Sequence, residues 1–313
     1  MRDAPPLVTV NILSHDRRLE LAASLRSMRD ELAYPRQRLE FIVVDNDSTD
    51  GTRDMLRHEF PEVRLIENEN VGAAGWTRGF EAGHGEYFLI LDDDCCVTGD
   101  SLERAVRAAE SQRADLVSFR VVSSDDPSFE FNAHYRVGLL SFWACAALIS
   151  RRAIDKLEGF DPNIFIWANE LEFTIRLLDQ GFRHLLLPEV TAVHLKPPPS
   201  HFPPTAYALH MRNLAYVAAK LLRPADAAAA LASIATRLLV GVLHRPSRWR
   251  AVPAALEGVR TGVRARAPVR ATVSRLYRRN FREFTSPLSN LRGERYYDAR
   301  PELYPTGTAS LAP

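Results

Sequence analysis

The stretch Tyr87-Phe88-Leu89-Ile90-Leu91-Asp92-Asp93-Asp94 joins an apolar run directly to three consecutive aspartates. A short apolar run bounded by polar residues is typical of a strand buried in a sheet. Three adjacent carboxylates repel one another unless a cation or a ligand neutralises them. Oxygen ligands on a tight turn suit Mg²⁺ or Mn²⁺, which keep coordination positions for phosphate oxygens. The stretch therefore predicts a buried strand that ends at a divalent metal site, with a nucleotide diphosphate as the expected ligand.

Apolar runs and helix-compatible segments alternate on both sides of this stretch. The other runs that we predict to be strands are Leu7–Leu13, Phe41–Val44, Val63–Ile66 and Leu116–Val122. The segments that we predict to be helices are Leu19–Leu32, Thr52–Phe60, Ala73–Ala82 and Ser101–Glu110. This alternation predicts an α/β fold, in which right-handed βαβ units form a mostly parallel sheet with helices on both faces.

Polar side chains follow the other predicted strands where each strand ends. These groups are Ser14-His15-Asp16-Arg17, Asp45-Asn46-Asp47 and Asn68-Glu69-Asn70. A single group of this kind is usually a helix cap. Open α/β sheets bind their ligands at the carboxyl ends of the strands. Because successive strand ends all carry polar groups, we expect a ligand site along this edge.

The composition excludes several classes of protein. The chain has 313 residues, of which 46% are hydrophobic, 9% aromatic and 25% charged, with a formal net charge of +1. These values are ordinary for globular domains and argue against disorder and against an overall polyanion binder. Its three cysteines, Cys95, Cys96 and Cys145, form no CxxC pair, which predicts a reducing, cytoplasmic environment and no structural zinc. Because Arg237 lies inside the longest apolar tract, Ala227–Leu243, we expect no membrane-spanning helix.

The charge is distributed unevenly along the chain. Residues 205–313 contain 18 of the 40 Lys and Arg but only 6 of the 39 Asp and Glu, and a proline-rich stretch at 196–204 precedes them. Proline interrupts regular structure, so we expect one domain over 1–204 and a basic, mostly helical extension over 205–313, with helices at Ala206–Leu222 and Ala225–Leu243. The arginines of the extension either form a solvated face or dock on anionic lipid or a phosphorylated acceptor. We expect no nucleic-acid partner, because no nucleic-acid-binding motif accompanies them.

Several motifs occur in a characteristic order. They are Val8–Asn11 leading to Asp16-Arg17, Val43–Thr52, Asn68–Gly72 with Gly75 and Gly79, the D-x-D element Asp92–Asp94, Gly159-Phe160-Asp161, Phe165–Phe173, His194 and Arg212-Asn213. In this order and spacing they resemble the inverting family 2 glycosyltransferases of the GT-A fold, especially the branch with rhamnosyl- and galactofuranosyltransferases. The resemblance covers residues 7–215 and implies a Rossmann-like domain that binds a nucleotide sugar.

The resemblance implies roles for individual side chains. The residues that it places at the nucleotide sugar are Asp16, Asp45, Asn70, Asp92 and Arg212. The residues that it places at a divalent metal, Mn²⁺ or Mg²⁺, are Asp92, Asp94 and His194. Asp45 would accept a hydrogen bond from the nucleobase, with a cap on the helix from Thr52 as the alternative. Arg212 either steadies the diphosphate or fixes the proline-rich loop, and Asp93 is expected to be structural.

An inverting reaction needs a general base that takes the proton of the acceptor hydroxyl. The family supplies it from an acidic pair, which is Asn169-Glu170 here, so the resemblance implies Glu170 as the base and Asn169 as the helix N-cap. Glu172 is the alternative base, although it stands four residues before Arg176 and is expected to form a surface pair with it. Further candidates, for stacking on the acceptor and for a loop over the donor, are Trp167, Lys196 and His201.

Together these observations predict a metal-dependent inverting glycosyltransferase. It would move a sugar from a UDP- or dTDP-sugar to a hydroxyl of a glycan, a lipid-linked glycan or a natural product, in the cytoplasm or at the inner face of the membrane. One alternative is a haloacid-dehalogenase-like phosphohydrolase, because Asp45-Asn46-Asp47-Ser48-Thr49 also fits its D-x-D-x-T element with Asp45 as nucleophile. Another is an inactive family member that serves as a binding module.

Overall fold

A computed structural model describes residues 4–132, 141–196 and 204–285. These residues form two compact units. The first contains 4–132, 142–165 and 182–196, and the second contains 141, 166–181 and 204–285. The domain boundary expected between residues 204 and 205 stays a prediction, and His201 lies outside the described residues.

The first unit is built around an eight-stranded sheet. The strands are β1 Val8–Ser14, β2 Leu39–Asn46, β3 Arg64–Asn68, β4 Tyr87–Asp92, β5 Cys95–Cys96, β6 Leu116–Ser123, β7 Ala146–Ser150 and β8 His184–His194. Their order across the sheet is β3-β2-β1-β4-β7-β6-β8-β5. The pairs of β1 with β2, β1 with β4, β2 with β3 and β6 with β8 are parallel, while β7 runs against β4 and β6, and β5 runs against β8. The predicted α/β fold is confirmed, and each of the five predicted strands is present.

Helices cover the sheet of the first unit. They are α1 Arg18–Glu31, α2 Thr52–Glu59, α3 Trp76–Ala82, α4 Ser101–Gln112 and α5 Arg151–Leu157. Successive side chains of a strand point to opposite faces, and Phe88, Leu89, Ile90 and Leu91 of β4 are all 0% exposed. The sheet is therefore covered on both of its faces, which explains why its central strands are continuously apolar in the sequence.

The helix predicted over Ala73–Ala82 begins later than expected. Gly72–Gly75 form a turn of 3₁₀ helix, and α3 starts only at Trp76. Gly72 has a φ of +62°, and a Cβ there would lie 2.0 Å from the carbonyl oxygen of Phe165, whose oxygen accepts a hydrogen bond from Ala73 N–H at 2.7 Å. This close backbone approach holds the segment in the tighter conformation and requires glycine at position 72.

The second unit is helical. Its helices are α6 Asn169–Asp179, α7 Pro204–Leu221, α8 Pro224–His244, α9 Ala251–Arg264 and α10 Ala271–Thr285, with a 3₁₀ helix at Pro246–Arg250 between α8 and α9. The helices predicted at Ala206–Leu222 and Ala225–Leu243 correspond to α7 and α8. The backbones of α7 and α9 touch, because a Cβ on Gly258 would lie 2.0 Å from the Arg212 carbonyl oxygen and one on Gly262 would lie 2.5 Å from that of Tyr216.

Two arginines of the basic extension serve as helix C-caps. Arg266 Nη2 donates to the Leu222 carbonyl oxygen at 2.9 Å, at the end of α7. Arg270 Nη2 donates to the Leu178 carbonyl oxygen at 2.9 Å, at the end of α6. The last carbonyl groups of a helix lack partners within the helix and carry partial negative charge, so cationic donors stabilise them. Part of the basic charge of the extension is therefore structural.

The described residues of the second unit cover little of the apolar helix α8. Among the described residues it is the one helix long and apolar enough to cross a membrane, by length and composition alone, and a single helix of this kind is weak evidence for a span. We expected no membrane-spanning helix because of Arg237, but α8 still meets the criteria of length and hydropathy for a span with this one arginine inside it. Only 28% of its most apolar window is buried, so much of an apolar helix faces solvent.

Candidate active site

Three parallel strands end together at one edge of the first unit's sheet. β1 lies between β2 and β4, and the register pairs Ser14 with Asp45 and Leu13 with Asp92. Neighbouring strands lie about 4.8 Å apart, so β2 and β4 end about 10 Å from each other. His15 joins the strand ends, because its backbone N–H donates to Asp93 Oδ2 at 3.1 Å and its Nδ1 is 2.7 Å from the Asn46 carbonyl oxygen. The structure thus brings Asp16, Asp45 and Asp92 to one edge.

Asp45 presents an open acceptor at this edge. Its side chain is 0% exposed, and its Oδ2 accepts hydrogen bonds from Arg53 Nε and from Ser48 N–H at 3.2 Å. Its Oδ1 has no hydrogen-bond partner. A buried carboxylate oxygen without a donor is costly unless a ligand provides one. Asp45 does not cap α2, whose N-cap residue is Gly51, so the helix-cap alternative is wrong.

Asp16 and Asn70 each accept a hydrogen bond from a backbone N–H group, in the loops after β1 and β3. Asp16 is exposed with a φ of +50°, and its Oδ1 accepts hydrogen bonds from Thr49 N–H at 2.6 Å and from Thr49 Oγ1 at 3.3 Å. This ties the loop after β1 to the loop after β2. Asn70 is also exposed, and its Oδ1 accepts a hydrogen bond from Gly72 N–H at 3.2 Å. Both side chains thus follow the ends of their strands and remain partly open to solvent.

The three aspartates after β4 have different partners. Asp94 is buried and contacts three donors: His194 Nε2 at 2.9 Å, Arg17 Nη1 at 3.1 Å and Lys196 Nζ. Burial opposes ionisation of Asp94, but the bonds from His194 and Lys196 outweigh it and hold its pKa below the usual range. Asp93 binds the backbone of His15, and burial, together with the charge of Asp94, raises its pKa to about 7.

Asp92 is the aspartate without a cation of its own. It is half-buried, and no hydrogen bond or ion pair within the described part of the chain engages its carboxylate. Burial, followed by the neighbouring charge of Asp94, raises the pKa of Asp92 to about 6. A carboxylate in this position is stabilised by an added positive charge, because a nearby cation favours the ionised form.

Asp92, Cys145 and His194 form a candidate metal cluster. Each offers a ligand atom, and these atoms lie within 4.8 Å of one another. β5 pairs with β8 so that His194 stands opposite Cys95, and the rings of Phe131 and Trp143 pack against the imidazole at 4.7 and 5.6 Å between centroids. His194 is 4% exposed, and its Nδ1 has no hydrogen-bond partner.

The donor set of this cluster fits a divalent cation. A carboxylate and an imidazole nitrogen without a partner are ligands that Mn²⁺ and related metals accept. The Cys145 thiol is fully buried, and burial, with a hydrogen bond to Cys95, raises its pKa well above the usual value. A neutral thiol is a poor metal ligand, so Asp92 and His194 are the stronger pair. No sequence motif pointed to Cys145, which lies in the turn directly before β7, the strand next to β4.

In the second unit, Glu170 lies in the first turn of α6. The two residues before the helix, Trp167 and Ala168, both adopt left-handed backbone, with φ of +61° and +64°. Ala168 is the N-cap residue and Asn169 is the first residue of the helix, so the expectation that Asn169 is the N-cap is wrong. Glu170 is 6% exposed.

A side chain from α7 holds this turn. Asn213 Nδ2 donates to the carbonyl oxygens of Ile166 at 2.7 Å and Trp167 at 2.9 Å. Left-handed backbone costs a non-glycine residue about 1–2 kcal/mol, so such a turn persists only where its surroundings fix it. Sequence reasoning placed Asn213 in a family motif and gave it no role. The sequence feature that could have indicated its role is a polar amide among the apolar residues of α7, where a buried amide needs hydrogen-bond partners.

Glu172 is internal and paired, contrary to the surface pair that we expected. It is 0% exposed. Arg176 Nε donates to its two oxygens at 2.8 and 2.9 Å, and Lys220 Nζ donates to Oε1 at 2.7 Å. The expectation of a surface pair was wrong because the spacing of Glu172 and Arg176 within α6 shows only that they share a helix face. Lys220, which also binds Glu172, lies on α7, 48 residues further along the chain. Both oxygens of Glu172 already accept hydrogen bonds from cations, which leaves neither open to a substrate proton.

Arg212 precedes Asn213 on α7. Its Nη1 donates to Asn213 Oδ1 at 3.0 Å, and its guanidinium lies 5.3 Å from the centroid of the Tyr216 ring. The first contact orients the amide that holds the turn before α6. Of the other candidates, Lys196 lies in the first unit bound to Asp94, and Trp167 is half-buried in the turn itself.

The chain is similar to known proteins over most of its described length. The "Glycosyl transferase family 2" model matches residues 9–170. The glycosyltransferase AglE of Haloferax volcanii is 25% identical over 210 residues, 62% of this chain and 68% of AglE. The probable glycosyltransferase YdaM of Bacillus subtilis is 25% identical over 211 residues, 58% of this chain and 49% of YdaM. The chain thus spans about half to two thirds of the length of these relatives.

Two solved structures share the fold. The mannosyltransferase PcManGT of Pyrobaculum calidifontis, in complex with GDP-Man and Mn²⁺, aligns with a TM-score of 0.58 at 21% identity, covering 93% of this chain and 86% of that one. Residues 1–349 of S. aureus TarS, in complex with UDP-GlcNAc, align with a TM-score of 0.58 at 15% identity, covering 89% of each chain. The family model matches more than half of this chain and contains the strand ends with Asp45 and Asp92 as well as Glu170. The chain belongs to glycosyl transferase family 2 and is a glycosyltransferase with the GT-A fold.

Proposed function

We propose that this glycosyltransferase binds a nucleotide diphosphate sugar at the edge formed by β1, β2 and β4 and transfers the sugar, with inversion, to an acceptor hydroxyl. The observation that carries the proposal is the unpartnered Oδ1 of Asp45, a buried acceptor at the strand ends. Uracil and thymine both present a ring N–H to a carboxylate, so UDP- and dTDP-sugars are the proposed donors. Asp16 and Asn70, in the loops after β1 and β3, are proposed as further contacts of the nucleotide sugar.

We propose Asp92 and His194 as the ligands of a divalent metal, with Asp94 as a third candidate. Asp92 contributes a carboxylate without a partner, and the Nδ1 of His194 is equally open. Mn²⁺ suits this oxygen and nitrogen set better than Mg²⁺, which strongly prefers oxygen. When bound, the metal stabilises negative charge on the leaving diphosphate. Asp94 orients His194 through their 2.9 Å hydrogen bond and forms ion pairs with Arg17 and Lys196.

Glu170 is the proposed general base. It takes the proton from the acceptor hydroxyl while that oxygen attacks the anomeric carbon from the face opposite the diphosphate. The state of Glu172 supports the choice, because both oxygens of Glu172 are engaged by Arg176 and Lys220. Arg212 remains a proposed contact of the diphosphate, as a charge-assisted donor.

The acceptor and the cellular location are also proposals. The acceptor is a hydroxyl of a glycan, a lipid-linked glycan or a natural product. All three cysteines are free and buried, which supports a reducing, cytoplasmic setting. The phosphohydrolase alternative is not favoured, since the chain belongs to a glycosyltransferase family and Arg53 and Ser48 already bind one oxygen of Asp45.

Calorimetric titration tests the donor site. The purified protein is titrated with UDP, dTDP and GDP, each with Mn²⁺, with Mg²⁺ and with EDTA. We expect metal-dependent binding of UDP or dTDP that Asp45→Ala and Asp92→Ala abolish and that Asp155→Asn, a change at an exposed aspartate of α5, leaves intact. No binding of any nucleotide, or equal binding in the Asp45→Ala variant, contradicts the donor site.

Donor hydrolysis and transfer test the base. Glu170→Gln keeps the shape of the side chain but cannot accept a proton, so we expect turnover to fall by about 10²–10⁴-fold with nucleotide binding unchanged. Glu189→Gln, at an exposed position of β8, is the matched control. Full activity of Glu170→Gln would exclude Glu170 as the base.

A further inference from the structure

Helix α9 turns its smallest residues inward and its largest apolar residues outward. The buried positions are Ala251, Ala255, Gly258 and Gly262. Val252, Leu256 and Val263 are 43%, 67% and 55% exposed. Residues four and seven positions apart share one face of a helix, so these three side chains form a single apolar stripe. The close packing on α7 is achieved with glycine and alanine, and the described residues of the unit leave that stripe exposed.

Further large apolar side chains are exposed in the two segments that precede α9 in the chain. Leu239 and Leu243, one turn apart on α8, are 62% and 73% exposed, and Trp249 of the 3₁₀ helix is 58% exposed. We call Leu239, Leu243, Trp249, Val252 and Leu256 the apolar corner. Six of the ten large apolar side chains that the described residues expose lie between Leu239 and Val263. Single exposed apolar residues are normal, whereas a cluster of this kind marks an interaction surface.

The charges around the apolar corner are almost all positive. The exposed arginines near it are Arg245, Arg250, Arg260 and Arg264. From Ala227 to Arg282 the chain has one acidic residue, Glu257, which pairs with Arg260 at 3.2 Å. Large apolar side chains, an exposed tryptophan and surrounding arginines are the composition of segments that lie at a lipid–water interface.

We infer that the apolar corner docks on the surface of an anionic lipid bilayer, with its leucines and Trp249 in the interface and its arginines on the headgroups. A second copy of this chain is the less suitable partner, because two arginine-rich surfaces repel each other. The inference concerns the second unit alone and does not rest on the proposed transfer reaction.

Docking at the surface fits α8 better than spanning does. The opposite face of α8 is anchored inside the second unit, where Asp226 accepts a hydrogen bond from Ser274 Oγ at 2.6 Å and pairs with Arg278 at 3.3 Å. Asp226 is 6% exposed. A spanning helix would have to break these bonds and place the charged Arg237 in hydrocarbon, which is strongly unfavourable. If α8 lies at the interface, the bonds of Asp226 stay intact and Arg237 stays out of the hydrocarbon.

Vesicle flotation of the full chain tests the inference. The vesicles contain phosphatidylcholine alone or mixed with phosphatidylglycerol. The test variant combines Leu243→Gln, Trp249→Gln and Leu256→Gln, which are exposed positions where folding should be unaffected, as thermal unfolding will verify. Leu19→Gln is the matched control, since Leu19 in the first unit is as exposed as Leu243, at 73%.

We expect the wild type and Leu19→Gln to float with the anionic vesicles, and the triple variant to partition about tenfold or more weakly even at low salt. Trp249 fluorescence should shift to shorter wavelength with these vesicles, and Trp249→Phe should remove the shift. If the triple variant floats as well as the wild type, or if salt alone releases the wild type, the arginines alone account for binding. Either result would overturn the inference. A wild type that ignores the vesicles but dimerises in light scattering, with a monomeric triple variant, would assign the surface to self-association instead.

Discussion

The two units both bury carboxylates, but they give them different partners. At the sheet edge of the first unit, Asp92 forms no ion pair or hydrogen bond with the described residues. Its neighbour Asp93 accepts a hydrogen bond from the His15 backbone and lies 3.7 Å from Arg17 Nε. In the second unit, Glu172 is completely enclosed and is bound by Arg176 and Lys220. The negative charge of Asp92 is therefore left for a ligand to neutralise, whereas that of Glu172 is already neutralised by two cations of the protein. Removing Asp92 should therefore cost activity, and removing Glu172 should cost stability.

The largest expected effect is that of Asp92→Asn on activity. The substitution removes the charge of a proposed metal ligand, and we expect turnover to fall about a thousandfold, equivalent to about 4 kcal/mol of transition-state stabilisation. The metal-free variant should unfold at the same or a higher temperature than the wild type, because a desolvated acid beside Asp94 has been removed. Differential scanning calorimetry with EDTA and a transfer assay measure the two effects. A variant that loses stability and keeps activity would reverse the comparison.

Glu172→Met should produce the opposite pattern. It leaves Arg176 and Lys220 without their buried counter-charge, which typically costs about 3–5 kcal/mol. Urea unfolding measures the loss in the free energy of unfolding. The double change Glu172→Met with Lys220→Met should recover part of it, because the pair of opposite charges is then absent. A Glu172→Met protein as stable as the wild type would show that the internal pair contributes nothing.

Asn213→Ala should affect both properties moderately. It removes two hydrogen bonds to the carbonyl groups of Ile166 and Trp167, with an expected loss of about 1–3 kcal/mol in stability. Because these bonds fix the turn directly before Glu170, turnover should also fall about tenfold. Asn213→Asp is the sharper control, since it keeps the size of the side chain but loses its donors. If Asn213→Asp behaves as the wild type, donation to these carbonyls is not what holds the turn.

The smallest expected effect is a gain. Ala168 has a φ of +64°, a conformation that glycine adopts without steric cost. Ala168→Gly should therefore raise the free energy of unfolding by about 1 kcal/mol. Ala230→Gly, at a buried position inside α8, should lower it by about the same amount. Equal losses in the two variants would mean that the backbone at Ala168 carries no strain.

The features that the sequence predicts well are those set by local pattern. The apolar runs that become β1 to β4 and β6 are continuous because both faces of the sheet are covered, and the polar groups after them meet because parallel strands end at one edge. Asp45 and Asp92 are therefore visible from order along the chain. The late start of α3 is not, since it depends on Gly72 meeting the backbone of Phe165, far along the chain.

The features that the sequence predicts poorly depend on side chains from distant segments. Glu172 and Arg176 look like a surface pair until Lys220 is placed beside them. Asn169 looks like an N-cap until Asn213 is seen to hold the turn from outside the helix. Cys145 enters the candidate metal cluster only because β7 pairs with β4. In each case the spacing within one helix or strand carries no information about the third partner.

The contact between α7 and α9 has a consequence for how the chain diverges. Gly258 and Gly262 allow no larger side chain without separating the two helices, so purifying selection should retain them in descendants of any specificity. Leu243, Trp249 and Leu256 make no such demand on the fold, and random drift would replace them with polar residues. If orthologues keep both sets, the glycines are retained because the helix packing requires them. Retention of the exposed apolar residues would then indicate that their surface has a function.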